Sequence, residues 1–249
     1  MNPTTWSAWK QHFDRNAERA LPEVEAPALG EAQHRALLQS LAKFQLGESG
    51  EGRIAHEIDR THLSGIDDDY RAALKRFIQE EGRHARILGT MVAVLGGRVL
   101  SRQWAERLFI HVRRLFGVRF KLLVLLAAEV IGIGFYGMLA AVLPAGPMAA
   151  ALRQICGDER AHLAFHRDFF ASQRGTAAGA LLRWVWWPLG SAAALAVMWD
   201  HRATLRAFGI PLRVAAAALW AQVALAGAFT SSSGERGPGA RFANETSSR

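Results

Sequence analysis

The chain has 249 residues and a mass of 27.3 kDa, enough for one large domain or one domain with an appendage, and its 50% hydrophobic content excludes global disorder. A single cysteine, Cys156, excludes an intramolecular disulfide framework and any zinc site built from several thiolates. The 30 Lys and Arg against 22 Asp and Glu give a net charge of +8, which suits an anionic lipid or acidic partner; with no DNA- or RNA-binding motif beside the charges, no nucleic-acid partner is expected.

Helix signals dominate, alanine and leucine are abundant, and no run alternates apolar with polar for long, so the expected class is all-α. Residues 1–29, interrupted by Pro22 and Pro27, read as an N-terminal arm. No apolar run follows a basic start there, so a secretory signal is not expected and a cytoplasmic setting is the default. A helical pattern runs from about Glu31 to His62 and meets a polar break, HLSGIDDD, in which Asp67 or Asp68 can cap the next helix. That second helix should run from about Asp69 to Leu95 and stop at Gly96-Gly97. A third region, Ser101 to Leu143, would be about 60 Å long as one helix, so a break near Gly117 is expected. LPAGP at 143–147 interrupts the pattern, and a fourth helix follows from Met148 to Gln173. Residues 30–174 thus form one four-helix unit. Residues 175–230 hold two more apolar helices, Ala180–Trp199 and Val214–Phe229, and residues 231–249 read as a disordered tail.

Six cations, Arg102, Arg107, Arg113, Arg114, Arg119 and Lys121, opposed locally by Glu106 alone, precede the most apolar segment, a placement suited to a membrane surface. Leu122–Leu143 has the length of a membrane span. Glu129, the only acid between Arg107 and Cys156, lies near its middle and favours a helix buried inside a bundle. Trp184, Trp186, Trp187, Trp199 and Trp220 mark the C-terminal apolar runs, with Arg183, Arg202 and Arg206 nearby. They fit either the cytoplasmic face of a bilayer or, equally, a cover for the bundle or a homodimer contact.

A lone carboxylate in an apolar helix needs a partner, since leaving it ionised and unpaired costs several kcal/mol. Two Glu-x-x-His motifs supply one: Glu81-Gly-Arg-His84 and Glu159-Arg-Ala-His162. At i, i+3 a carboxylate and an imidazole leave one helix face together and can grip one ion. Chance gives roughly half a pair in a chain with this many Glu and His, against three present. The third, Glu31 with His34, is too far along its helix to meet the others and reads as solvent-facing. Residues equidistant from a turn lie level in an antiparallel hairpin. The midpoint of Glu129 and Glu159 is Pro144, inside LPAGP, and that of Glu48 and Glu81 falls between Ser64 and Gly65, inside the polar break. Glu51 gives an equally good interval to Glu81, so spacing leaves Glu48 and Glu51 as rival ligands from the first helix.

Gly47-Glu48-Ser49-Gly50-Glu51-Gly52-Arg53-Ile54 is similar to the Gly-Glu-x-Gly-x-x-Arg-Ile segment of demethoxyubiquinone hydroxylases and to the Gly-Glu-Ser of rubrerythrins. The two Glu-x-x-His motifs resemble those of ferritin-like oxygenases. This resemblance, over residues 35–170, implies a ferritin-like four-helix bundle with additional apolar C-terminal helices, and it selects Glu48 as the first-helix ligand. It implies a pair of ions held by Glu48, Glu81, His84, Glu129, Glu159 and His162, with Glu81 and Glu159 bridging. Asp158 would orient a ligand imidazole and Arg83 a carboxylate. Tyr136, seven positions after Glu129 and on its face, is placed either to approach the metals or, more commonly for such a residue, to pack in the core. Carboxylates with two imidazoles suit two iron ions, or manganese beside iron. The implied activity is a non-haem di-iron monooxygenase or hydroxylase that uses dioxygen and an external electron donor on an apolar lipid-, acyl- or quinone-like substrate. Two alternatives stand beside it: an iron-handling or peroxide-scavenging protein, and a non-enzymatic membrane-associated helical protein. His166 and Cys156 read as an ordinary polar residue and a small buried hydrophobe, and His201 has no metal role.

Overall fold

The computed structural model describes residues 4–49, 53–63, 65–101, 117–173 and 176–231. Among them every regular element is helical: α1 (Thr4–Ala17), α2 (Glu31–Glu48), α3 (Arg53–Ile58), α4 (Asp68–Val94), α5 (Val118–Val142), α6 (Pro147–Ser172), α7 (Ala177–Asp200), α8 (Arg202–Ala207) and α9 (Leu212–Ser231). Glu51, Arg102, Arg107, Arg113, Arg114 and the tail from residue 232 lie outside the described residues.

Local chemistry sets the helix ends. The Asp67 side chain accepts from Tyr70 N at 2.8 Å, and Asp68 and Asp69 in the first turn of α4 complement its dipole. At the other end Gly96 takes φ 72°, open to glycine at no steric cost, and Gly97 N reaches back to Val92 O at 2.9 Å. A Cβ on Gly97 would lie 2.2 Å from Leu38 Cδ1, so this turn also sits tightly against α2. Gly117 precedes α5. Leu143 is extended and Pro147 occupies the first turn of α6, so Pro144 falls in the α5–α6 connection.

Three apolar clusters hold these helices. In the first, α2, α4, α5 and α6 bury Leu37, Leu41, Leu88, Met91, Leu139 and Leu152. The second is aromatic and draws in the N-terminal helix: Trp6, Trp9 and Phe13 of α1 are buried against Tyr70, Phe77, Phe165 and Phe169 of α4 and α6, so this part of the expected arm is packed on the bundle. Trp9 Nε1 donates to Asp168 at 2.8 Å. In the third, Leu123, Leu126, Val130 and Ile131 on one side of α5 pack against Trp186, Ala194, Leu219 and Val223 of α7 and α9. Small residues allow this closeness: a Cβ on Gly134 would lie 2.8 Å from Leu219 Cδ2, and one on Gly190 2.7 Å from Val223 Cγ1. Among the described residues two helices are long and apolar enough to cross a membrane by composition; the most apolar stretch of the one at Val118–Val142 is 83% buried inside the molecule, that of the one at Ala180–Asp200 28%.

His201, at the start of α8, ties this layer to α2. Its Nδ1 lies 2.7 Å from Ser40 Oγ, and its ring stacks on Phe44 at 4.6 Å. Burial pushes its pKa down to about 3. The folded pKa is thus below the unfolded value of about 6.5, and the unfolded chain binds more protons between the two. Stability contributed by neutral His201 is complete above that range and falls with acidification, by up to about 1.4 kcal/mol per pH unit. A His201→Gln chain should lose this part of the slope; denaturant titrations from pH 7 to 4 would measure it, and parallel curves would refute it.

Candidate metal centre

Glu81 and His84 leave the inner face of α4, and Glu159 and His162 the inner face of α6. All four are at most 2% exposed, and their ligand atoms lie within 4.8 Å of one another. His84 Nδ1 is 3.0 Å from Glu159 Oε1. His162 Nδ1 is 2.7 Å from Glu81 Oε1, 3.1 Å from Glu159 Oε2 and 3.5 Å from Glu129 Oε2. Ligands about 2.1 Å from a six-coordinate ion stand about 3 Å apart along an edge, so these separations fit a shared cation. Glu81 Oε1 and His84 Nδ1 are buried yet make no well-directed hydrogen bond. A cation would satisfy both, and this is the observation by which the residues fit a metal ion.

The imidazoles are fixed from behind, crosswise. His84 Nε2, from α4, is 3.3 Å from Asp158 Oδ2 on α6, while His162 Nε2, from α6, is 3.0 Å from Glu80 Oε2 on α4. A carboxylate on Nε2 holds the proton there and leaves Nδ1 facing the ligand cluster. Arg19, just after α1, joins the two outer carboxylates, 2.7 Å from Asp158 Oδ1 and 3.2 Å from Glu80 Oε1. Glu80 and Arg19 escaped the sequence reading. A signal for Glu80 was available, because Glu80-Glu81-x-x-His84 and Asp158-Glu159-x-x-His162 repeat one acid-Glu-x-x-His pattern.

Glu48 and Glu129 also reach this cluster. Tyr136 on α5 donates its hydroxyl to Glu48 Oε1 at 2.8 Å, and so touches the α2 carboxylate. Glu129 Oε1 is 3.3 Å from His166 Nε2, which gives His166 a direct contact with a candidate ligand. Arg83 does not hold a carboxylate: its guanidinium donates to the carbonyls of Arg19 and Ala20, both at 2.6 Å. It anchors the segment that carries Arg19, because the α1–α4 packing brings that backbone within its reach. Cys156 is buried, with Sγ 3.8 Å from Ile133 O, and burial pushes its thiol up to about 11. Glu31 is exposed and pairs with Arg35. Gly134 serves close packing against α9, whereas nothing lies within 4 Å of a Cβ on Gly137.

The electrostatics are those of crowded carboxylates around two imidazoles. Burial, with the neighbouring Glu81 and Glu159, holds the Glu48 carboxyl well above its ordinary value. Burial also opposes charge on Glu159, but the cationic His162 and His84 outweigh it and keep that carboxyl well below the usual range. For His84 the neighbouring Asp158 and Glu159 overcome burial and raise the pKa to about 9. Around His166 burial wins, reinforced by His162, and the pKa falls to about 3. Two cationic imidazoles thus offset the crowded carboxylates, and a cation binding at their Nδ1 atoms would have to displace those protons, which makes its affinity rise with pH.

Since Glu80 and Asp158 set the imidazole orientation, Glu80→Gln and Asp158→Asn should each weaken metal binding by about 10- to 100-fold. Competition with a chromophoric chelator would measure this; unchanged affinity in both would remove their role. In comparisons with known proteins no family model matches the chain, and neither a curated protein nor a solved structure does.

Proposed function

We infer that the chain is a ferritin-like di-iron carboxylate oxygenase, a four-helix bundle of α2, α4, α5 and α6 that oxidises an apolar lipid-, acyl- or quinone-like substrate. The observation that carries this reading is the doubled, crosswise acid-Glu-x-x-His arrangement, in which each inner imidazole is backed by a carboxylate of the opposite helix. A donor set of carboxylates with two imidazoles suits iron, with manganese as the alternative in one position. Glu81, His84, Glu159 and His162 would hold the metal, with Glu48 and Glu129 as further carboxylate donors. When bound, two ferrous ions supply electrons for the reduction of dioxygen, and an external donor restores them.

The chain's own side chains account for the rest. Glu80 and Asp158 keep a proton on each Nε2, so both Nδ1 atoms stay available as ligands. Tyr136 steadies Glu48 through its hydroxyl. Phe77, with its ring 4.7 Å from that of His162, and Phe13, at 5.8 Å, close the aromatic side of the site against water.

The test begins with anaerobic loading of ferrous iron to two equivalents per chain, followed by exposure to dioxygen. A transient visible absorption is expected in the wild type and not in Glu81→Ala. Iron loading far beyond two ions per chain would favour a storage role, and peroxide turnover without organic substrate a scavenging one. Absence of bound iron or manganese in carefully expressed protein would sink the metal reading altogether.

A further inference from the structure

The strongest feature outside the metal centre is an uncovered apolar face on α7. Leu181, Trp184, Pro188, Ala192, Leu195 and Trp199 are exposed and recur every three or four residues, so they form one stripe about 27 Å long. Trp184 is 78% exposed and Trp199 65%. The opposite side of the same helix, Trp186, Ala193 and Ala194, is buried against α5 and α9. Exposed Leu212, Val214 and Leu225 add apolar surface on α9. A contiguous face of this kind costs free energy in water and marks a contact surface.

Its border chooses the occupant. Exposed Arg183, Arg202, Arg206 and Arg213 flank the apolar residues in sequence, and the Arg202 guanidinium lies 4.4 Å over the Trp199 ring. From residue 169 to residue 231 the only acid is Asp200, and Lys43 already holds it at 2.9 Å. A symmetric pairing of two copies through this face would set arginines against arginines with no carboxylate between them. A bilayer surface offers what the face lacks: an apolar interior for the stripe, an interfacial zone for tryptophan, and lipid phosphates for the guanidinium groups.

We propose that the α7–α9 face docks flat on an anionic lipid bilayer, with the apolar stripe in the acyl–headgroup boundary and Arg183, Arg202, Arg206 and Arg213 on lipid phosphates. The helix lies in the plane of the surface and does not cross it, because its inner side is occupied by the rest of the molecule. The proposal is independent of the metal reading, as none of these residues touches the metal centre.

The test uses the full-length chain with vesicles of phosphatidylcholine alone or mixed with phosphatidylglycerol. Co-sedimentation with the mixed vesicles, and quenching of tryptophan fluorescence by lipid brominated near the headgroup, are the expected results. The exposed double variant Trp184→Ser with Trp199→Ser should bind about tenfold more weakly or worse, and Arg202→Gln with Arg206→Gln should lose most of the preference for anionic lipid. Helical circular dichroism and metal content, unchanged in both variants, would separate lost docking from lost folding. Failure of the wild type to sediment with mixed vesicles, or undiminished binding by both variants, overturns the proposal. So does a wild-type dimer in light scattering that the tryptophan variant abolishes while vesicle binding persists.

Discussion

A Glu159→Ala chain is expected to lose metal almost completely, with affinity falling by more than the roughly 100-fold that follows removal of a carboxylate lying behind a ligand. Glu159 reaches the inner nitrogen of both imidazoles, one oxygen 3.0 Å from His84 Nδ1 and the other 3.1 Å from His162 Nδ1, so its loss removes a donor shared by the two. Metal content after dialysis against a weak chelator would measure the loss. The same change separates two effects on stability. A ligand that binds only the folded state raises its melting temperature, so a strong chelator should lower the Tm of the wild type and leave that of Glu159→Ala unmoved. Equal metal content in the two proteins would mean that the cluster is a self-neutralised polar core.

The largest expected loss of stability from a single truncation lies at Phe165. Its ring is fully buried and meets six others, those of Trp6, Trp9, Phe13, Tyr70, Phe77 and His166, at centroid distances of 5.4 to 5.9 Å. Phe165→Ala removes these contacts and leaves a cavity among rigid rings that cannot collapse into it, at a cost of about 3–5 kcal/mol. Because α1 is held to α4 and α6 through these rings, the variant should also free the N-terminal helix. Limited proteolysis would detect this as early cleavage before residue 20. A loss below about 1 kcal/mol would show that the aromatic cluster relaxes more easily than close packing allows.

What could be read in the sequence was whatever depends on periodicity and turns. Asp67, the Gly96-Gly97 stop and the LPAGP break mark helix ends through local chemistry, and the observed limits of α4 and α6 fall within a residue or so of those expected. Counting from the turns also put Glu129 level with Glu159, and Glu48 or Glu51 level with Glu81, because an antiparallel hairpin converts sequence distance into height; only the resemblance preferred Glu48. The remaining features depend on contacts between distant segments. Arg19 meets Asp158 139 positions away, and nothing in its neighbourhood signals the encounter. His166 gains its interest from Glu129, and Arg83 turns to the backbone of residues 19 and 20 because α1 brings those carbonyls close. The helix in the first 29 residues was obscured by Pro22 and Pro27, which lie beyond its end at Ala17 and do not bear on it.

The double occupancy of α5 has a practical consequence. One flank of this rod supplies Glu129 and Tyr136 to the polar interior, and the other is sealed by α7 and α9 through Leu123, Leu126, Val130 and Ile131. A protein cut after Ser172 would therefore lay bare a greasy strip beside the very residue that completes the centre. Shortened versions made for crystallography or assay should clump and need detergent, so the last two long helices are best regarded as part of the fold's wall around α5 rather than as a removable tail.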